Sequence, residues 1–207
     1  MPKVSADYKA EQRLHLIRAA GRRITDVGFQ KLVMLDVVEE SGMSSGGIYG
    51  YFASKEELVA AVTKDVMRQL EVLLRRTLTS SPKPTVDALF GALLNEVEVL
   101  EQGGTRVSQL AVHVWAEATH DEGVRSLVMD SLHTARKLLA DAVRKARKDR
   151  IVDRTATPDG VADTLLGLLM GYMMQRCVLD DVSPSGHLAG LQALTGTAKE
   201  RVRLGPA

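Results

Sequence analysis

Apolar residues recur every three or four positions along most of the chain, which is the spacing of one face of an α-helix. The first such stretch covers residues 7–27, where several arginines lie outside the apolar stripe. The stripe consists of Leu14, Ile17, Ala20, Gly21 and Ile24. Gly28 predicts the end of this helix, because glycine accepts the left-handed backbone of a helix end, and Phe29 can then pack back onto the core.

Two short predicted helices come next, one on each side of a glycine. Residues 33–40 form the first, Ser41-Gly42-Met43 interrupts it, and Ser44 is suited to cap the second because its hydroxyl can accept a backbone N–H. Two short helices across such a turn predict a helix-turn-helix, whose second helix can enter the DNA major groove. On spacing alone, an ordinary corner of an all-helical protein is the alternative.

The pattern stays helical to the end of the chain, without the alternation of a strand. Ser54 and Glu57 have the spacing of a capping box and open a helix that reaches about Leu78. The later predicted helices cover residues 86–100, 105–119, 122–147 and 157–180, and a last one starts after the break at residues 183–186 and reaches about Arg203. The sequence therefore predicts an all-α fold of about nine helices.

Composition excludes several classes of protein. The 207 residues are 45% hydrophobic and 26% charged with a formal net charge of +1, so DNA contact would have to come from local charge rather than from overall charge. The single Cys excludes an internal disulfide framework and indicates a cytoplasmic protein. We expect no membrane association, because the longest uncharged apolar stretch, residues 164–175, is too short for a span.

The segment from Gly42 to Leu58 carries a more specific signal. Its turn, its Ile48-Tyr49 pair, its Tyr51-Phe52 pair and its Ser54-Lys55-Glu56 start resemble the N-terminal domain of the tetracycline-repressor (TetR) family. Ala19-Ala20, Gly28 and Phe29 are similar to that family's first helix. The resemblance covers about residues 10–60. It implies a three-helix DNA-binding domain at 7–60 with the helix-turn-helix at 33–52, followed by a ligand-binding and dimerisation domain at 61–207.

The resemblance also implies which residues contact double-stranded DNA. Ser44 caps the recognition helix, and Ser45-Gly46-Gly47 would face base edges, while Tyr51 and Lys55 match positions that usually hold phosphates. Lys31 and Tyr49 are further DNA-binding residues, although Tyr49 could equally pack in the core and Lys55 could be merely solvated.

This sequence departs from the family at Gly47, Gly50 and Val33, where larger or hydroxyl-bearing residues are usual. The predicted recognition helix has seven residues and contains three glycines, Gly46, Gly47 and Gly50, each of which costs roughly 1 kcal/mol against alanine. We therefore expect a recognition helix that is loose without DNA, with few side chains for direct readout and a larger share for DNA shape and close backbone approach.

After about residue 85 the strong family motifs end. The resemblance implies a small-molecule effector that lowers DNA affinity from this domain. Large apolar side chains are the tentative pocket walls, although each alone is more often plain core. They are Trp115, Met129, Met170, Tyr172, Met173 and Met174.

Polar residues of the same domain leave alternatives open. His113, Glu117 and His120 have the spacing of one helical face and could contact an effector, bind a metal as an incomplete set, or simply face solvent. Cys177 is expected to be a small buried hydrophobe, with redox sensing as the minor alternative. The basic run 136–150 invites a nucleic-acid interpretation, but cations at a helix C-terminus explain it better.

Assembly and class complete the prediction. The resemblance implies a homodimer through the last two helices, with small residues Gly160, Thr164, Gly167 and Gly171 on one and leucines on the other, and hence a roughly palindromic operator. We find no phosphate loop, metalloprotease motif or paired nucleophile and base, so we expect no enzyme, no metal and no cofactor. An activator and an all-helical small-molecule binding protein remain the alternatives to a repressor.

Overall fold

The computed structural model describes residues 5–80, 85–102, 106–148 and 157–196. In these ranges all regular secondary structure is helical, and nine helices follow one another. None of the helices in the described ranges is long and apolar enough to cross a membrane. The helices are α1 (Ala6–Lys31), α2 (Met34–Ser41), α3 (Ser45–Tyr49), α4 (Lys55–Ser80), α5 (Val86–Gln102), α6 (Val107–Glu117), α7 (Glu122–Lys148), α8 (Pro158–Val178) and α9 (Pro184–Thr195). The prediction of an all-α fold with about nine helices is confirmed.

Residue contacts divide the chain into two compact units. The first contains Met1–Gln69 and Gln109–Ser131, and the second contains Leu70–Ser108 and Leu132–Ala207. The predicted domains 7–60 and 61–207 rest on motifs rather than on packing, so that division stays a prediction.

In the first unit, α1 supports α2 through both apolar and ionic contacts. Leu16, Ala20 and Ile24 are fully buried on one side of α1. The Arg22 guanidinium lies 2.6 Å from Glu40, and Arg23 lies 3.3 Å from Asp36, so two cations of α1 hold two carboxylates of α2. These contacts hold α2, the first helix of the helix-turn-helix, in place on α1.

Gly28 interrupts α1 rather than ending it. Its φ of +79° is the left-handed conformation that glycine adopts without strain, and the helix resumes for one turn as far as Lys31. Phe29 is buried directly after the break, as predicted. The predicted left-handed backbone at Gly28 is therefore confirmed. The prediction that the helix ends there is wrong, because one more helical turn follows.

In the second unit, α5 packs against α8 and α9. Phe90, Leu93 and Leu94 of α5 are buried in its core. A Cβ added to Gly91 would lie 2.9 Å from Leu188 Cδ2, so the glycine lets α9 approach α5 closely. A methyl group at residue 91 would require the end of the Leu188 side chain to shift, so the glycine leaves room for this leucine between α5 and α9.

Among the helix ends that differ from the prediction are those of α6 and α9. The α6 helix ends at Glu117 rather than at Thr119, and α9 ends at Thr195 rather than near Arg203. Gly196 adopts φ +76°, which stops α9, and residues 197–207 lie outside the described residues.

Candidate nucleic-acid interface

The predicted recognition helix is present and is shorter than expected. The α3 helix has 5 residues, and the Ser44 hydroxyl caps it by accepting the N–H of Gly47 at 3.2 Å. Gly50 lies outside the helix as its C-cap, so two glycines rather than three are inside it. Ile48 and Phe52 are fully buried and attach this short helix to the core.

The outer side of α3 is open. Ser44, Ser45 and Gly46 are exposed, and Gly47 is half-buried. Among the described residues, no atom outside the local helix backbone lies within 4 Å of the Cβ position on Gly46, so another molecule could come close to the main chain there. This surface offers two hydroxyls and a bare backbone to DNA.

The tyrosines on either side of Gly50 differ in exposure. Tyr49 is 52% exposed, so its alternative as a core residue is wrong. Tyr51 is half-buried and lines an open cleft. Both phenol groups are compatible with contact to DNA, and the contacts themselves stay predictions.

The two predicted lysines have different surroundings. Lys31 is exposed at the end of α1, whereas Lys55 is half-buried and its Nζ donates to the Gln30 carbonyl at 3.3 Å. Lys55 is therefore positioned rather than merely solvated. Near it, the start of α4 is already capped, because the Ser54 hydroxyl accepts the Glu57 N–H and the Glu57 carboxylate accepts the Ala53 N–H at 2.8 Å. A phosphate there would rely on the Lys55 ammonium more than on the helix dipole.

Carboxylates at two helix starts are held in their charged form. The Val33 N–H, aided by Arg23, keeps the pKa of Asp36 below its ordinary value. The Glu56 backbone N–H and the Ser54 hydroxyl likewise lower the pKa of Glu56. These anions would repel phosphates, so cations elsewhere must dominate any attraction for DNA.

The sequence prediction missed one group of cations. Lys9, Ala10 and Arg13 of α1, together with Gly50 and Tyr51, line the open cleft, which has a volume of about 470 Å³. The spacing of four between Lys9 and Arg13 was visible in the sequence and puts both on one helical face. The sequence did not reveal that this face lies beside the C-terminal end of α3.

The structure divides the predicted effector residues between the two units. His113, Trp115, Glu117, His120 and Met129 belong to the first unit, and Met170, Tyr172, Met173 and Met174 belong to the second.

His120 does not share a helical face with His113 and Glu117. The α6 helix ends at Glu117, and His120 lies in the turn after it, where its N–H donates to the Glu117 carbonyl at 2.9 Å. Within the part of the chain that the structure describes, no group of three His, Cys, Asp or Glu side chains could hold a metal ion.

Tyr172 and Met173 are buried core residues, whereas Met129 and Met174 are 45% and 49% exposed. The Tyr172 hydroxyl donates to Glu98 at 3.3 Å, and Arg176 donates to the same carboxylate oxygen at 2.7 Å. Burial raises the pKa of Tyr172, which keeps the phenol protonated. This network braces α5 against α8.

Exposure and pairing bear on two further predictions. Cys177 is exposed, so its prediction as a buried hydrophobe is wrong. In the basic run, Arg136 lies 2.7 Å from Asp163, and Arg144 pairs with Asp141 and Asp159. Pairing with carboxylates of α7 and α8 makes Arg136 and Arg144 less available to a nucleic acid, while the helix-end explanation of the run stays a prediction. Arg150, in the same run, lies outside the described residues.

Similar sequences agree with this architecture. In Vibrio vulnificus, the transcriptional regulator BetI is 30% identical over 127 residues, covering 61% of this chain and 63% of BetI. The Bacillus subtilis regulator YfiR is 34% identical over 96 residues, covering 46% and 45%. The chain thus spans less than two thirds of either relative.

Solved structures show the same fold. A TetR transcription regulator from Haloarcula marismortui has a TM-score of 0.73 at 17% identity, covering 91% of this chain and 98% of that one. A protein from Saccharomonospora viridis, solved in complex with choline, has a TM-score of 0.69 at 21% identity, covering 89% and 95%.

Family models account for most of the chain in two consecutive parts. Residues 16–62, which contain α2, α3 and their support, match the model of bacterial regulatory proteins of the tetR family. Residues 86–195 match the C-terminal model of BetI-type transcriptional repressors. This chain therefore belongs to the TetR family of DNA-binding transcription regulators and carries a C-terminal domain of the BetI-type repressors.

Proposed function

We propose that this protein is a ligand-responsive repressor that binds a roughly palindromic operator as a homodimer. A small molecule held by the C-terminal domain lowers its affinity for that DNA. Membership of the family supports the repressor function. The proposed ligand response is transmitted by a contact between α6 and α1.

The main support for this ligand response is a hydrogen bond near the Gly28 break. Gln109 Nε2 of α6 donates to the Thr25 carbonyl of α1 at 2.8 Å. The His113 ring, one turn further along α6, lies 3.8 Å from the Cβ position on Gly28. A helix of the repressor C-terminal domain is therefore packed into the same compact unit as the helix-turn-helix.

This contact gives an effector a short route to the DNA-binding surface. A ligand that shifts α6 would move the Gln109 and His113 contacts and with them the part of α1 that precedes α2. Coupling between two sites in one protein is typically about 1–3 kcal/mol, which one or two such contacts can supply.

The exposed surface of α8 supports dimerisation. Gly160, Thr164 and Gly167 are exposed, and among the described residues no atom outside the helix lies within 4 Å of the Cβ position on Gly167 or Gly171. Small residues let two helices approach closely, and a dimer through α8 and α9 would cover the large exposed side chains of these two helices. Those side chains are Met174, Val178 and Leu194. Two-fold pairing of identical chains requires an operator with two related half-sites.

Trp115 is the most informative of the proposed effector contacts. Its Nε1 is buried and has no hydrogen-bond partner among the described residues. A buried indole N–H without an acceptor is costly, so an effector with an acceptor oxygen beside an apolar body would fit. The choline complex of the Saccharomonospora viridis protein makes choline the first compound to test.

The decisive experiment is a gel shift with the DNA upstream of this protein's own gene, followed by genome-wide selection of bound fragments. A salt-sensitive specific complex that choline or a screened compound weakens would support the proposal. A reporter driven by the selected operator separates repression from activation. Absence of any selected DNA would contradict a regulatory function.

Binding of the effector can be followed without a label, because Trp115 is the single Trp of the chain. We expect its fluorescence to change with the compound that releases DNA. A releasing compound that leaves the fluorescence unchanged in both intensity and wavelength would place the effector away from Trp115.

A further inference from the structure

The cleft between α1 and the C-terminal end of α3 has walls of one charge. Among the described residues that line it, Lys9, Arg13 and the Tyr51 phenol are the ionisable groups, and no carboxylate is present. The two cations are four residues apart and so project from one face of α1. Across the cleft, Gly50 brings no side chain, which leaves the main chain and Tyr51 accessible.

The basic residues of α1 fall into two groups with different surroundings. Arg22 and Arg23 are engaged with carboxylates of α2. In the described ranges, by contrast, neither Lys9 nor Arg13 forms an ion pair. The Arg13 guanidinium instead lies 4.6 Å from the centre of the Phe52 ring, which orients it without neutralising it. The positive charge is therefore available to a negatively charged partner.

We infer that Lys9, Arg13 and the Tyr51 hydroxyl bind the phosphodiester backbone of the operator beside the base pairs that α3 contacts. This inference rests on DNA binding by the helix-turn-helix. It is supported by charge complementarity and by Tyr51, which lines the cleft and also belongs to the predicted phosphate contacts. The contact positions the domain on the duplex and carries no base specificity, because phosphates are the same at every base pair.

The test uses a duplex selected from a random-sequence pool by the full-length wild-type protein. Affinity for this duplex is measured over a range of about 50 to 300 mM KCl, where phosphate contacts make affinity salt-dependent. The variants are Lys9→Ala, Arg13→Ala and the matched control Arg18→Ala. Arg18 is exposed on the same helix and does not line the cleft. Each of these substitutions removes one positive charge.

We expect Lys9→Ala and Arg13→Ala each to weaken binding about tenfold at low salt and to reduce the slope of log affinity against log salt by about 1 per lost contact. Arg18→Ala should change the affinity and the salt slope much less. A random-sequence duplex should lose affinity by a similar factor, so the preference for the selected sequence should stay the same.

Arg13→Ala could also disturb the packing at Phe52, so the thermal melting of each variant is recorded. The contact with the Phe52 ring is made by Arg13. If Arg13→Ala unfolds, the inference is therefore tested by Lys9→Ala alone. Equal affinities and salt slopes for Lys9→Ala, Arg18→Ala and wild type would overturn the inference while leaving DNA binding intact. Failure of the wild type to select any duplex would overturn DNA binding as well, so the two failures are distinguishable.

Discussion

The Ser44 hydroxyl accepts the backbone N–H of Gly47 at 3.2 Å, and the recognition helix depends on this bond. Inside α3, Gly46 and Gly47 together lower helix stability by about 2 kcal/mol relative to alanine. A cap of this kind raises helix stability by about 1 kcal/mol. Buried Ile48 and Phe52 supply the remaining anchorage. The helix is thus fixed at its two ends and weak in its middle, where it would meet DNA.

Gly46→Ala should make α3 more stable and at the same time weaken its binding to DNA. The backbone at Gly46 is helical and the space around its Cβ position is open, so alanine should stabilise α3 by up to about 1 kcal/mol. Hydrogen exchange of the segment containing α3 should therefore slow. If the main chain approaches DNA closely, operator affinity should fall at the same time. Wild-type operator affinity in Gly46→Ala would exclude close approach of the main chain to DNA.

The helix-turn-helix could be predicted from sequence because its signals are local. Ser44 bonds to a residue three positions away, and so does Ser54. Gly42 adopts the left-handed backbone that its place between two helices predicts. Such caps act through neighbours in the chain, so no knowledge of the rest of the fold is needed to recognise them.

Contacts between distant residues could not be predicted in the same way. Glu98 meets Tyr172 and Arg176 at sequence separations of 74 and 78, and no periodic pattern pairs them. The Gly28 break looked like a helix end because a left-handed glycine is the usual local sign of one. His120 was misplaced because a turn of short-range bonds ends α6 before it.

Asp87 should make the α5–α9 contact sensitive to acid. Its partial burial alone would raise its pKa, but hydrogen bonds from Thr85 and Gln192 outweigh this and lower it. The stability from the charged form is therefore present at neutral pH and is lost as pH falls below about 4, through the folded-state pKa.

Asp87→Asn provides the measurement. At pH 7 we expect it to lower the free energy of unfolding by about 1 kcal/mol, because hydrogen bonds to a charged acceptor become neutral ones. Urea unfolding between neutral pH and about pH 3 should show the difference from wild type shrinking as Asp87 gains its proton. A difference that stays constant over this range would show that the charge of Asp87 does not matter.

Cys177 should react slowly for a surface thiol. Protein atoms that crowd one side of it raise the pKa of the thiol, and the nearby Glu101 carboxylate raises it further. The thiolate is the reactive form, so alkylation by iodoacetamide at about pH 7.5 should be several-fold slower in the folded protein than in urea. Glu101→Gln should speed the folded-state reaction because it removes the negative charge. Faster alkylation of the folded wild type than of the unfolded chain would revive a redox role.

Gln109→Ala should weaken the link between effector and operator more than it weakens the fold. It removes the donor to the Thr25 carbonyl, which should lower the free energy of unfolding by about 1 kcal/mol. If the α6–α1 contact transmits the ligand response, the ratio of operator affinities without and with the releasing compound should fall several-fold. Gln102→Ala, at an exposed position on α5, is the control. An unchanged ratio in Gln109→Ala, measured with compound bound as judged by Trp115 fluorescence, would show that the response reaches DNA by another route.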